Sequence, residues 1–213
     1  LEHFDPVAPL FLTPFFVAVP TNSPWKNMGD LIKAAKAEPG KVSYGSWGVG
    51  SPGHLGGEWL DYLTGSKMTH VPYREVSQLF TSVANGDPAW SFASLPSSQG
   101  IYKSGKIRYI AVAAPKRIAQ MPDVPTVAEA GGPAELDVNS FVSLLAPKGV
   151  APSVRNKIRS DVVAVLQDPQ VKEKFSTFAF QPMIFTVPEM QQFARKKSEQ
   201  YKLLIDKAQI SLD

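Results

Sequence analysis

The stretch Tyr44-Gly45-Ser46-Trp47-Gly48-Val49-Gly50-Ser51-Pro52-Gly53-His54 decides the reading of the fold. It leaves a short strand over Val42-Ser43-Tyr44 and crosses a glycine-rich loop. It then enters a helix with Ser51 as N-cap and Pro52 at the first helical position. Strand, loop and capped helix in that order make one repeat of an α/β fold. Glycines let a backbone turn sharply and approach a ligand closely. A helix N-terminus adds unpaired N–H groups and partial positive charge, so the segment suits an oxyanion, with the Ser46 and Ser51 hydroxyls as further donors. A tight turn whose serine only caps its own helix has the same pattern, and spacing alone leaves both readings open.

The alternation extends outward in both directions. Upstream, Phe15-Phe16-Val17-Ala18-Val19 reads as a strand stopped by Pro20. Met28, Leu31, Ile32 and Ala35 follow at i, i+3, i+4 and i+7, with Asn27 as N-cap and Gly40 past the end. Downstream, Leu55, Trp59, Tyr62 and Leu63 form the expected buried stripe of the helix that Gly65 ends. Strands are predicted over residues 69–71, 89–92, 108–113, 138–146 and 180–185, and helices over 76–83, 99–102, 152–166 and 169–178. Residues 114–133 read as a connection with one short helix at 127–130. Thr186-Val187-Pro188-Glu189 matches a capping box before a last helix whose charged residues form a solvated face. Strands separated by helices at this spacing predict a mainly parallel sheet.

Composition narrows the function. The 213 residues are 44% hydrophobic and 19% charged, enough for a sizeable core. Net charge is only +3, and the basic residues are dispersed rather than set in a stripe with stacking aromatics, so nucleic-acid binding is not expected. Cysteine is absent, which excludes disulfides, thiol catalysis and Cys-ligated zinc. The three histidines, His3, His54 and His70, show no metal-ligand spacing, so neither a metal nor another cofactor is expected. With no initiator Met and no leader at Leu1, the chain is expected to be a mature product or a piece of one.

Two further strand ends could contribute to a site. Val71-Pro72-Tyr73-Arg74-Glu75 places Tyr73 as a pocket wall and Arg74 as an anion partner, against the alternative of a solvated Arg74–Glu75 pair. Ser91-Phe92-Ala93-Ser94 is the other, with Ser94 at the turn. In open α/β sheets ligands bind at such carboxyl ends. The glycine loop is no P-loop, because no Lys-Ser/Thr follows it, and Gly50-Ser51-Pro52 lacks the nucleophile-elbow pattern.

The ordered set of motifs resembles the substrate-binding receptors of tripartite tricarboxylate transporters, the TctC or Bug family. The matching pieces are residues 39–46 (PGKVSYGS), 48–55 (GVGSPGHL), 70–74 (HVPYR), 95–97 (LPS), 122–131 (PDVPTVAEAG) and 145–149 (LAPKG). The resemblance implies a periplasmic-binding-protein-like (type II) two-lobed α/β fold that closes on a small carboxylate, a di- or tricarboxylate or an aromatic acid, and delivers it to a membrane permease. It implies a periplasmic location and no enzymatic activity. It places ligand contacts on residues 46–51, His54, Tyr73, Arg74, Ser94, Ser140 and Phe141, with Trp47 able to stack on an aromatic acid.

The departures are specific. Leu1 starts after the family's opening βα units, so residues 14–137 are expected as a complete second lobe, and 1–13 with 138–213 as hinge strands and the returning part of an incomplete first lobe. Arg74-Glu75-Val76 replaces a basic residue and two glycines, Ala93 an Asp, and Ser140-Phe141 a Trp. The competing readings are a truncated, non-binding piece that oligomerises, and a hydrolase, for which no nucleophile–base set is evident in the sequence.

Overall fold

The computed structural model describes residues 3–208 and 210. Its elements run β1 (Phe4–Pro14), β2 (Phe16–Pro20), α1 (Met28–Ala37), β3 (Ser43–Ser46), α2 (Pro52–Thr64), β4 (Thr69–Pro72), α3 (Val76–Ala84), β5 (Trp90–Ala93), α4 (Leu95–Lys103), β6 (Ile107–Val112), β7 (Asn139–Pro147), α5 (Pro152–Gln167), α6 (Pro169–Thr177), β8 (Gln181–Pro182) and α7 (Val187–Ala208). Two compact units result. One comprises Leu1–Thr13 and Ser140–Tyr201, the other Pro14–Asn139 and Lys202–Asp213.

The second unit is built on a five-stranded sheet in the order β4-β3-β5-β2-β6. β3 runs parallel to β4 and β5, whereas β2 is antiparallel to both β5 and β6. The sheet is therefore mainly parallel, as expected, with β4, β3, β5 and β6 running one way and β2 alone reversed, a direction that helix–strand alternation in a sequence does not encode. Phe16, Val17, Ala18 and Val19 on β2 are fully buried, as a central strand covered on both faces requires. α1 begins where Asn27 Oδ1 accepts from the Asp30 N–H at 2.9 Å, and it buries Met28, Leu31 and Ala35 on the sheet. Each such side chain contributes about 1.5–3 kcal/mol. Tyr44 and Trp90 stack beneath at 5.4 Å, with Phe92 edge-on to Trp90.

Helix α2 differs from its expected stripe. Its buried residues are Gly53, His54, Leu55, Gly56, Gly57 and Leu60, while Tyr62 is half exposed. A β-carbon at Gly57 would overlap the Tyr44 ring, and one at Gly56 would crowd Phe92 and Val138. The glycines let α2 sit closer to the sheet than a leucine stripe would permit. α4 is longer than predicted, starting at the Ser94-Leu95-Pro96 turn. The expected helix at 127–130 is a single turn instead. Thr126 and Glu129 cap each other there, Ala130 N–H reaches Thr126 O, and Gly131 (φ 82°) ends it.

The first unit carries a three-stranded sheet, β7-β1-β8, with β8 antiparallel to β1. β8 is two residues long and not six: Pro182 has no N–H to donate, and one further bond, Met183 N–H to Leu10 O, ends the pairing. Phe11 stacks on Phe180 at 4.3 Å and meets Phe175 edge-on. Arg159 Nε donates to Val7 O at 2.7 Å, and Arg155 pairs with Asp5 at 3.2 Å. Neither α5 nor α6 buries a residue fully. The Thr186–Glu189 capping box forms as predicted. Lys197 on α7 is buried near the Phe193 ring, so the basic residues of this helix are not all solvated.

Candidate ligand-binding site

β4, β3 and β5 are neighbours and parallel, so their carboxyl ends share one edge of the sheet. The next element after each is a helix, α2, α3 and α4 respectively following β3, β4 and β5. The glycine loop after β3 occupies the central position, where three helix N-termini favour negative charge.

Within the loop, Gly48 (φ 124°) and Gly50 (φ 74°) adopt left-handed backbone that side chains rarely tolerate. Ser51 N–H donates to Gly48 O, and Ser51 Oγ accepts from the His54 N–H at 3.4 Å, capping α2. Among the described residues, the N–H groups of Trp47 and Val49 donate to no protein acceptor, and Val49 is exposed. The Trp47 ring is half-buried, with Phe15 at 5.1 Å and Gly53 under its edge.

Beneath the loop lies a cluster that sequence spacing gave no sign of. His54 and His70 stack at 3.8 Å with an interplanar angle of 9°. Gly50 N–H donates to His54 Nδ1 at 3.0 Å, and Ser46 Oγ lies 2.7 Å from His70 Nε2. Ser46 Oγ also accepts from the Gly48 N–H at 3.2 Å. Tyr44 Oη donates to Glu58 Oε1 at 2.7 Å, and Glu58 Oε1 stands 3.7 Å from His54 Nε2. Burial lowers the His54 pKa and, with the neighbouring His54, lowers that of His70 to about 4. Burial also raises Glu58 and Tyr44 above their usual values. The strand register, Tyr44 opposite His70, creates this juxtaposition across the β3–β4 pair.

Ser46 and His70 have the separation of a nucleophile–base pair, which the sequence did not disclose. Ser46 is fully buried, however, and its oxygen is engaged by Gly48 and His70, so it is a structural hydroxyl.

The other anticipated residues distribute as follows. Tyr73 N–H donates to Ser46 O at 2.8 Å, and its hydroxyl to Asp87 O. Arg74 is exposed, and the solvated pair with Glu75 does not form. Ser94 is buried, with its hydroxyl bonded to Ser97 Oγ at the start of α4. Residues 46–51, His54, Tyr73, Arg74 and Ser94 thus gather at one sheet edge. Ser140 and Phe141 belong to the other unit, where Phe141 meets Phe193 edge-on and lines a cavity of about 250 Å3. Among the described residues, no group of three or more His, Asp or Glu could hold a metal, and no helix is long and apolar enough to cross a membrane.

Residues 1–210 match the family described as tripartite tricarboxylate transporter family receptor. A UPF0065 protein of Cupriavidus necator is 32% identical over 193 residues, covering 91% of this chain and 58% of that protein. The chain spans about half the length of the curated relatives it matches. Its fold superposes on a protein of R. palustris solved with adipate (TM-score 0.86, 27% identity, 98% of this chain and 70% of that one). It also superposes on a structure described as a periplasmic transporter (TM-score 0.82, 36% identity, 100% and 70%).

Proposed function

The chain belongs to the tripartite tricarboxylate transporter receptor family, and from that premise we propose that it is the solute-binding part of a periplasmic receptor for a small carboxylate. Receptors of this kind bind and do not transform their solute, and no side chain is assigned a catalytic role. One observation carries the proposal: a glycine loop presents the Trp47 and Val49 N–H groups at the centre of three parallel strand ends, beside the exposed Arg74. Backbone donors in a fixed loop recognise an oxyanion without supplying a nucleophile. A dicarboxylate of the size of adipate, found in a relative of the same fold, suits such a site. Delivery to a membrane permease and periplasmic location follow from family membership as part of the same proposal.

The test is thermal unfolding of the purified chain with increasing adipate, benzoate or citrate. A rise with one of them is expected that grows with the logarithm of its concentration above Kd, to about 2.7 kcal/mol at a hundredfold excess. Gly48→Ala should diminish the shift, because a side chain at φ 124° forces the loop to rearrange. No shift with any of the three overturns the reading for the chain as it stands.

A second reading has its own observation. Val154, Ile158 and Val165 of α5 are exposed and lie on one face of the helix. An apolar face of that kind favours an oligomerising piece that binds no solute alone. Native mass spectrometry separates the two: a self-associated chain without an adipate adduct supports the second.

A further inference from the structure

We propose that His54 is the positioning residue of the glycine loop: its unprotonated Nδ1 holds Gly50 in place, and proton uptake there releases the loop and weakens anion binding. The proposal rests on the reading of residues 46–51 as the carboxylate site.

A backbone N–H only donates, so the 3.0 Å contact from Gly50 requires a lone pair on His54 Nδ1. The ring hydrogen therefore sits on Nε2. A proton added to Nδ1 would set two N–H groups against each other and abolish the bond. Gly50, at φ 74°, would then lose the side-chain hydrogen bond that ties it to His54 on α2.

The stacked partner makes this sensitivity a property of the whole loop. His70 lies 3.8 Å away, nearly parallel, and engages Ser46 at the loop's other end. The pair thus grips the loop at residue 46 and at residue 50. Two neutral imidazoles stack without penalty, whereas two imidazolium rings at that separation repel strongly.

Of the groups facing the pair, Glu58 Oε1 stands 3.7 Å from His54 Nε2 and offsets such a charge only in part. Glu58 on α2 accepts from Tyr44 of β3, and burial disfavours its ionised form. Asp61, one turn further along α2, accepts from Ser66 Oγ and the Met68 N–H. His54 is itself buried, and its lowered pKa keeps the ring neutral near neutral pH. The loop is accordingly shaped for anions at neutral pH and loses that shape in acid.

The test uses the whole chain, labelled with nitrogen-15, between pH 4 and pH 8. Ring nitrogen shifts should show His54 with hydrogen on Nε2 at pH 7.5. The Gly50 amide should titrate with the His54 midpoint. Affinity for the adipate dianion, by calorimetry with the ligand's own protonation subtracted, should fall about tenfold for each pH unit below that midpoint, the limit set by one linked proton. His54→Gln, whose amide oxygen can accept from Gly50 but does not titrate, should flatten the pH dependence whatever its affinity at pH 7.5. A Gly50 amide that ignores His54, or adipate affinity that is flat or rises in acid, overturns the proposal. If Gly50 follows His54 but adipate binds at no pH, the clasp stands and the carboxylate reading falls.

Discussion

Gly57 of α2 lies flat on the ring of Tyr44, so closely that a β-carbon would overlap Cδ2, Cε2 and Cζ. Tyr44 cannot retreat, because it is fully buried between α2 and Trp90, and its hydroxyl is tied to Glu58. Gly57→Ala should therefore destabilise the second unit by about 2–3 kcal/mol through overpacking. Gly100, on α4, has open space around its would-be β-carbon. Gly100→Ala should add about 0.5–1 kcal/mol by removing backbone freedom from the unfolded chain. Urea unfolding of both variants checks the pair. Equal effects would mean that helix propensity, not the close approach to Tyr44, sets the response.

The histidine pair gives stability a pH dependence with a definite sign. Both rings have folded pKa values below the ordinary 6.5, His70 at about 4. The unfolded chain thus takes up protons first as pH falls. Their contribution is complete above about pH 6.5 and is lost progressively toward pH 4. A full shift for His70 alone would be worth about 3 kcal/mol, and its partial exposure reduces that to about 1–2. Glu58, pushed upward by burial, opposes the loss over part of the window. Unfolding midpoints at pH 7 and pH 4.5 should fall accordingly, and His70→Asn should reduce the difference. A wild-type midpoint independent of pH in this interval sinks the assignment.

The two units should exchange amide hydrogens very differently. Met28, Leu31 and Ala35 anchor α1 in the second unit, while α5 and α6 have no fully buried residue. Local opening costs least where the fewest apolar groups must be exposed. Amides of α5 and α6 should exchange at least tenfold faster than those of α1. Comparable protection would mean that something covers these helices in solution.

The residues that the sequence disclosed are those whose signal is local. Asn27, Ser51 and Thr186 act within four residues of themselves, and each caps the helix it was expected to cap. The glycine loop was legible for the same reason. What stayed hidden depends on pairing across the sheet. The reversed direction of β2, the contact of Gly57 with Tyr44 and the stacking of His54 on His70 arise between segments far apart in sequence. Pro182 shows the opposite error, an apolar run that promised a strand but lacked one essential donor.

Arg74 provides the most direct test of the proposed anion site. It follows Tyr73, whose N–H is bonded to Ser46 O, so it stands at the rim of the glycine loop. Among the described residues it forms no ion pair, and it is exposed. Arg74→Ala should leave stability within about 0.5 kcal/mol of wild type, since no packing is lost. Adipate affinity should fall about five- to tenfold, less than for a buried bidentate pair because water and salt screen an exposed guanidinium. The wild-type affinity should also weaken from 0.05 to 0.5 M salt more than that of Arg74→Ala. A variant that binds adipate as tightly as wild type, with the same salt response, would place the anion's charge on the backbone donors of Trp47 and Val49 alone.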